Sequence, residues 1–173
     1  MRYQRFLLQS YSSLAEAKKI SLQFHTEPRS LTFPFDADKW RKITGNLISN
    51  ALKFTPTGGE ITVKVGWTAK GGQYFSIKDS GPGIPEDEIP IVLSSFGQGT
   101  IAIKHAEPGT GLGLTIVQAL LNMHQGRFDL KSKLREGTEA IAYLPTDRVS
   151  KRMDHTPPMD TSVPDNNDEI QVA

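Results

Sequence analysis

The sequence predicts a two-layer α/β sandwich, a sheet with helices packed on it. Strict alternation of Ile61, Val63, Val65 and Trp67 with Thr62, Lys64 and Gly66 marks a hairpin, and Phe128, Leu130 and Ser132 with Thr138, Ala140, Ala142 and Leu144 read as a second one. Apolar residues at helical spacing through Ile43, Leu47, Ile48 and Ala51, and again through Ile116, Val117, Leu120 and Leu121, mark two helices with one buried face each. A chain of 173 residues sets an expectation of one domain, large enough to bury a core.

Composition narrows the function classes. A formal net charge of +1 gives no basic surplus for binding nucleic acid, and no apolar run is long enough to span a bilayer. Cysteine is absent, which excludes disulfides, thiolate metal sites and thiol catalysis and fits a cytoplasmic protein. The N-terminal residues lack the pattern of a signal peptide, so any membrane anchor is expected to belong to regions outside this chain.

Taken in order, residues 1 to 19 carry Phe6, Leu7, Tyr11, Leu14 and Ala17 at helical spacing and read as a connector helix whose upstream part is missing. Residues 20 to 146 form the predicted folded domain. Ile20, Leu22 and Phe24 alternate with polar residues as one strand, and Leu31-Thr32-Phe33 is a second short extended run. Asp36 is placed to cap the helix that Pro56 and Gly58-Gly59 end. After the first hairpin comes Asp79-Ser80-Gly81-Pro82-Gly83-Ile84-Pro85, too rich in Gly and Pro for regular structure, then a short helix predicted over 86 to 96. Residues 97 to 109 have the glycines and mixed charge of a mobile cover, and Gly109 to Leu114 lead into the second helix. The closing hairpin runs through Phe128, Leu130 and Ser132, turns at Arg135-Glu136-Gly137 and ends at Pro145. Residues 147 to 173, with Pro157, Pro158 and Pro164 among polar residues, read as a disordered tail or linker.

On the first long helix, Asn46, Asn50 and Lys53 fall in a narrow polar stripe beside the apolar face. Two carboxamides one turn apart and a lysine three residues on offer a metal ligand and a phosphate counter-charge from one rigid element. Glycines ahead of a helix start, as at Gly109-x-Gly111-x-Gly113, suit an anion. There is no G-x-x-x-x-G-K-[ST], no G-x-G after the first strand of a βαβ unit, and no protein-kinase H-R-D loop, so those nucleotide folds are excluded.

What remains is an ordered quartet: the Asn-rich helix, a strand ending in Asp79-x-Gly81-x-Gly83, the Phe96-Gly97-Gln98-Gly99 segment, and Gly109-Thr110-Gly111-Leu112-Gly113-Leu114. In this order and spacing it resembles the N, G1, F and G2 boxes of the ATP-binding catalytic domain of bacterial sensor histidine kinases. Lys53-Phe54-Thr55-Pro56, Gly137-Thr138 and Leu144-Pro145 fit the same family, and the run from Phe96 to Gly113 with Leu130 to Thr138 looks most like cell-cycle and developmental kinases. The resemblance covers residues 31 to 145. It implies a Bergerat fold, with a mixed sheet packed on helices and ATP held between the helices under a mobile lid.

The resemblance also implies roles. Asn50 would coordinate a Mg²⁺ that bridges the phosphates of ATP, Asn46 would be a neighbouring polar contact, and Lys53 would balance phosphate charge. Asp79 would accept from the adenine amino group, Gly81 and Gly83 would let the backbone and Ile84 approach the base, and Thr138 would support Asp79 or the base through its hydroxyl. Phe54 would lie near the purine or in plain core. Gly109, Thr110, Gly111, Leu112 and Gly113 would face the phosphates, with Lys104 either supplying lid charge or lying on a solvated surface. Gln98 belongs to the F region, which has Phe96 where the commoner form has two phenylalanines.

A histidine kinase also needs a phosphoacceptor histidine, and none of His25, His105, His124 and His155 lies in the expected context. The implied partners are therefore a histidine-bearing dimerisation domain and, downstream, a response regulator receiver domain. Related ATPases of the gyrase and chaperone kind place a Glu one turn before the metal-binding Asn, where this chain has Asn46. An amide cannot serve as a general base, so phosphoryl transfer to histidine is preferred over hydrolysis, and an ATP-binding scaffold is the remaining alternative.

Overall fold

The computed structural model describes residues 2–26, 36–100 and 110–145, with side chains from residue 10 onward. Alternation builds the sheet. β1 (Ser21–Thr26), β2 (Glu60–Trp67), β3 (Gln73–Asp79), β4 (Arg127–Lys133) and β5 (Gly137–Leu144) assemble in the order β1-β2-β3-β5-β4. β1 runs parallel to β2 and every other neighbour pair is antiparallel, so the sheet is mixed as expected.

Because side chains alternate across a strand, one phase faces the helices. Ile61, Val63, Val65, Phe75, Ile77, Ala140, Ala142 and Leu144 take that phase and are buried, with Phe128 and Leu130 packed beside them. Against them lies α2 (Ala37–Phe54), burying Ile43, Leu47, Ile48 and Ala51. Trp40 meets Phe75 edge to face, ring centroids 5.8 Å apart at 83°. Asp36 caps α2 as the sequence predicts: its Oδ1 accepts from the amides of Asp38 at 2.9 Å and Lys39 at 3.3 Å. The helix ends at Thr55, whose hydroxyl donates to the Ala51 carbonyl at 2.6 Å just before Pro56.

α1 (Arg2–Ala17) shares this core, with Ala15 buried and Tyr11 packed against the cluster. Lys18 Nζ reaches the Leu52 carbonyl of α2 at 3.4 Å.

Two expectations change in detail. The helix predicted over 86 to 96 is a 3₁₀ turn (Glu86–Glu88) followed by a single turn, α3 (Ile89–Val92). Ser94 Oγ donates to the Ile91 carbonyl at 2.7 Å, a side-chain bond that competes with helix continuation, and Phe96 then takes a positive φ of 62°. In α4 (Gly113–Met123), Val117 and Leu121 face the core, but Ile116 and Met123 are exposed, because α4 is covered on one side alone. The strand predicted at 31–33, most of the cover predicted between 97 and 109, and the tail from 147 onward lie outside the described residues.

Candidate nucleotide site

The register of three neighbouring strands builds one wall of the site. Asp79 at the end of β3 pairs with Thr138 at the start of β5, and Thr138 pairs with Ser132 near the end of β4. All three occupy the helix-facing phase, where most of the other residues of each strand are apolar, so their polar atoms meet at the end of the core. Asp79 Oδ1 accepts from the Gly81 amide at 2.8 Å and from the Thr138 amide at 3.3 Å. Burial pushes the Asp79 carboxyl above its ordinary value, against the pull of those two amides. Support for Asp79 therefore comes from the backbone of Thr138, while its hydroxyl lies 2.8 Å from Ser132 Oγ.

The loop after β3 is tied to the same wall. Ile84 donates its amide to Ser132 Oγ at 2.8 Å. Gly83, at φ 72°, sits where a first side-chain carbon would fall 2.0 Å from the Lys133 carbonyl oxygen, so the loop could not approach β4 with any other residue there.

Facing this wall is a cavity of about 390 Å³. Asn46, Asn50, Lys53 and Phe54 line it from α2, and Asp79, Gly83, Ile84 and Thr138 from the sheet side. Gln98, Thr110, Gly111 and Gly113 close it from the segment leading into α4. Of the residues singled out in the sequence, Gly81 acts through its amide beside the cavity, and Leu112 is the N-cap residue of α4 rather than a wall residue. Lys104 and Gly109 lie outside the described residues.

Charge and dipoles come to the cavity from α2 and from the start of α4. Lys53 Nζ lies 5.1 Å from the centre of the Phe54 ring, which holds the ammonium against an aromatic face. Asn46 spends a donor on its own helix, Nδ2 to the Lys42 carbonyl at 2.7 Å. Among the described residues no side chain caps α4, in contrast to α2, so those side chains leave the first-turn amides of α4 open to a ligand. Thr110 Oγ1 accepts from the Leu112 amide at 3.4 Å ahead of that turn.

Sequence reasoning passed over Ser132 and Glu88. Ser132 carried a legible signal, a polar residue in the inward phase of a strand after Phe128 and Leu130. Glu88, on the cavity wall, accepts from both the amide and the hydroxyl of Thr100, and nothing in the aperiodic sequence around it marks that contact. His25 is exposed on β1 and His124 is buried at the end of α4. His105 and His155 lie outside the described residues.

A buried carboxylate on the sheet side of a cavity, with carboxamides, a lysine and helix-start amides from the helices around it, is what a nucleotide-binding domain requires of a two-layer sandwich. The chain belongs to the histidine kinase-, DNA gyrase B- and HSP90-like ATPase family, whose profile matches residues 35–148. It is 30% identical over 153 residues to the circadian input-output histidine kinase CikA of Synechococcus elongatus, covering 88% of this chain and 20% of that protein. It is 34% identical over 122 residues to the sensor histidine kinase TmoS of Ectopseudomonas mendocina, covering 70% of this chain and 12% of that one. The chain thus spans a fifth or less of the length of these two relatives.

Solved structures agree. Full-length ShkA in complex with AMPPNP superposes with a TM-score of 0.71 at 27% identity, over 82% of this chain and 28% of that one. The mycobacterial sensor histidine kinase MprB gives 0.67 at 25% identity, over 83% of this chain and 93% of that one. The fold is the Bergerat type, and the described domain is an ATP-binding domain of the histidine kinase kind.

Proposed function

We infer that this domain binds ATP with Mg²⁺ and transfers the γ-phosphoryl group to a histidine on a separate dimerisation domain, in two-component signalling with a response regulator receiver domain downstream. The observation that carries the reading is the placement of Asp79 and the Asn50–Lys53 stripe on facing walls of one cavity. Adenine would sit with its amino group at Asp79, and Ile84 and Phe54 would flank the base. The triphosphate would lie toward Asn46, Asn50 and Lys53, with the amides from Thr110 to Gly113 donating to it. Lys104 and Gly109 belong to the same proposal.

The donor set suits Mg²⁺ carried in by the nucleotide. Among the described residues no group of three or more His, Cys, Asp or Glu could hold a metal ion alone. Asn50 would offer one hard carboxamide oxygen, and phosphate oxygens and waters would complete the octahedral preference of the ion. Bound there, the metal would draw charge from the phosphates in the transfer step. In that step the bond from the γ-phosphorus to the bridging oxygen breaks, a phosphorus–nitrogen bond forms to the acceptor histidine, and ADP leaves. Lys53 would neutralise charge and Asn50 would fix the nucleotide, so catalysis would rest on positioning. Asn46 offers no base to activate water, which favours transfer over hydrolysis.

The helix α1 would connect the domain to the dimerisation domain. Incubating the chain with ATP, Mg²⁺ and a two-helix dimerisation domain carrying a histidine tests the reading. Acid-labile phosphohistidine on that domain is the expected product. Release of phosphate without acceptor labelling would point to an ATPase, and neither product would point to a binding scaffold.

A further inference from the structure

The three-bond junction at Ser132 fixes how Thr138 faces the cavity, and no residue of the quartet described above accounts for it. Ser132 Oγ accepts from the Ile84 amide at 2.8 Å, and it lies 3.0 Å from the Gly137 carbonyl oxygen and 2.8 Å from Thr138 Oγ1. A serine hydroxyl has one proton and two lone pairs. The Gly137 carbonyl can accept and cannot donate, so the arrangement that makes all three bonds sends the Ser132 proton to Gly137. Thr138 must then donate its own proton to Ser132. Both lone pairs of Ser132 are filled and its proton is used.

This leaves Thr138 with lone pairs alone toward the cavity it lines. Asp79, its register partner, also lines the cavity as an acceptor, with both bonds described above falling on Oδ1 and Oδ2 left for a ligand. The wall therefore presents two adjacent acceptors. An exocyclic amino group, with two N–H bonds, matches such a wall, and a carbonyl oxygen in the same place meets lone pairs from both sides.

We propose that Ser132 is a positioning residue for base selection: by holding the proton of Thr138 it makes the base wall doubly accepting, so that it selects a 6-amino purine over a 6-oxo purine. The inference rests on the reading of the cavity as an adenine-nucleotide site and deepens it. Ser132 itself touches the base in no step. It acts through Thr138, and through Ile84 it ties the loop after β3 to the same point.

The test compares binding of two non-hydrolysable nucleotide analogues, a 6-amino purine triphosphate and its 6-oxo counterpart, by calorimetry with Mg²⁺. The unaltered chain is expected to prefer the amino form by roughly tenfold or more. In Ser132→Ala the freed Thr138 proton can donate into the cavity, and the preference is expected to fall by roughly threefold or more. Ser132→Thr, which keeps the hydroxyl, should retain the preference, and Ser132→Cys, a weak donor of similar size, should lower it if the alanine variant does not fold. Thr138→Val should lower the preference too, and adding Ser132→Ala to it should change the ratio no further.

A purely structural role for Ser132 would weaken both analogues equally and leave the ratio unchanged, and that result overturns the proposal. Binding of neither analogue by the unaltered chain overturns the nucleotide reading and this inference with it. Binding with an intact amino preference in every Ser132 variant overturns this inference alone.

Discussion

Gly113, the first residue of α4, abuts Asn46 of α2: a first side-chain carbon on Gly113 would lie 3.2 Å from Asn46 Oδ1 and 3.6 Å from Asn50 Nδ2. The absence of a side chain lets the start of one helix close on the carboxamide stripe of the other, which brings uncapped amides and both asparagines to one end of the cavity. Gly113→Ala therefore requires a shift of a few tenths of an ångström, and Gly113→Val a larger one. Both are expected to weaken nucleotide binding, the valine variant more, with little change in melting temperature. Calorimetric titration beside thermal unfolding separates the two effects.

On the proposed reading, Lys53 would serve the phosphates rather than the base. Lys53→Ala is expected to cost about 1–2 kcal/mol of triphosphate binding at low salt, a factor of roughly five to thirty. Adenosine should bind almost as before, because the lost charge has no partner on the nucleoside. Titrating adenosine and the triphosphate analogue in parallel checks this, and the difference should shrink as salt is added.

Stability rests on the layer between sheet and α2. Phe75 is 1% exposed and stands edge to face with Trp40. Phe75→Ala is expected to cost about 3–5 kcal/mol, read as a lower urea midpoint at an unchanged slope.

The pH dependence carries the mark of Asp79. Its carboxyl is raised above 3.8 by burial, so between that value and the raised one the folded chain holds more protons than the unfolded chain. The contribution of Asp79 to stability accordingly grows as pH falls through that window, while adenine binding, which on the proposed reading would use the ionised carboxylate, is expected to weaken over the same window. Asp36 works in the other direction: the amides of Lys39 and Asp38 hold its carboxyl low, and its cap is lost as pH falls through that lowered value. Subtracting the profile of Asp79→Asn from that of the unaltered chain isolates the Asp79 part in both melting temperature and affinity.

Most of the fold could be read from the chain because its signals are local. Asp36 as a cap, the alternation from Ile61 to Trp67, and the amphipathic face of α2 each rest on spacing within one element. The parallel pairing of β1 with β2 could not be read, since it depends on contacts between residues about forty apart. The outward turn of Ile116 and Met123 escaped notice because periodicity reports a stripe and not its width. In the site, Asn50, Lys53, Asp79 and Thr138 were legible through the resemblance, and the cavity gathers all four. Ser132 was not, because its partners Ile84, Gly137 and Thr138 come together through strand register and a loop that returns to β4.

The most direct measurement of the central claim is calorimetric binding of a non-hydrolysable ATP analogue with Mg²⁺ to the unaltered chain and to Asp79→Asn. Adenine-selective binding that falls by roughly tenfold or more in the variant is the expected result. No binding to the unaltered chain, or equal binding to both, would contradict the assignment of this cavity as the ATP site.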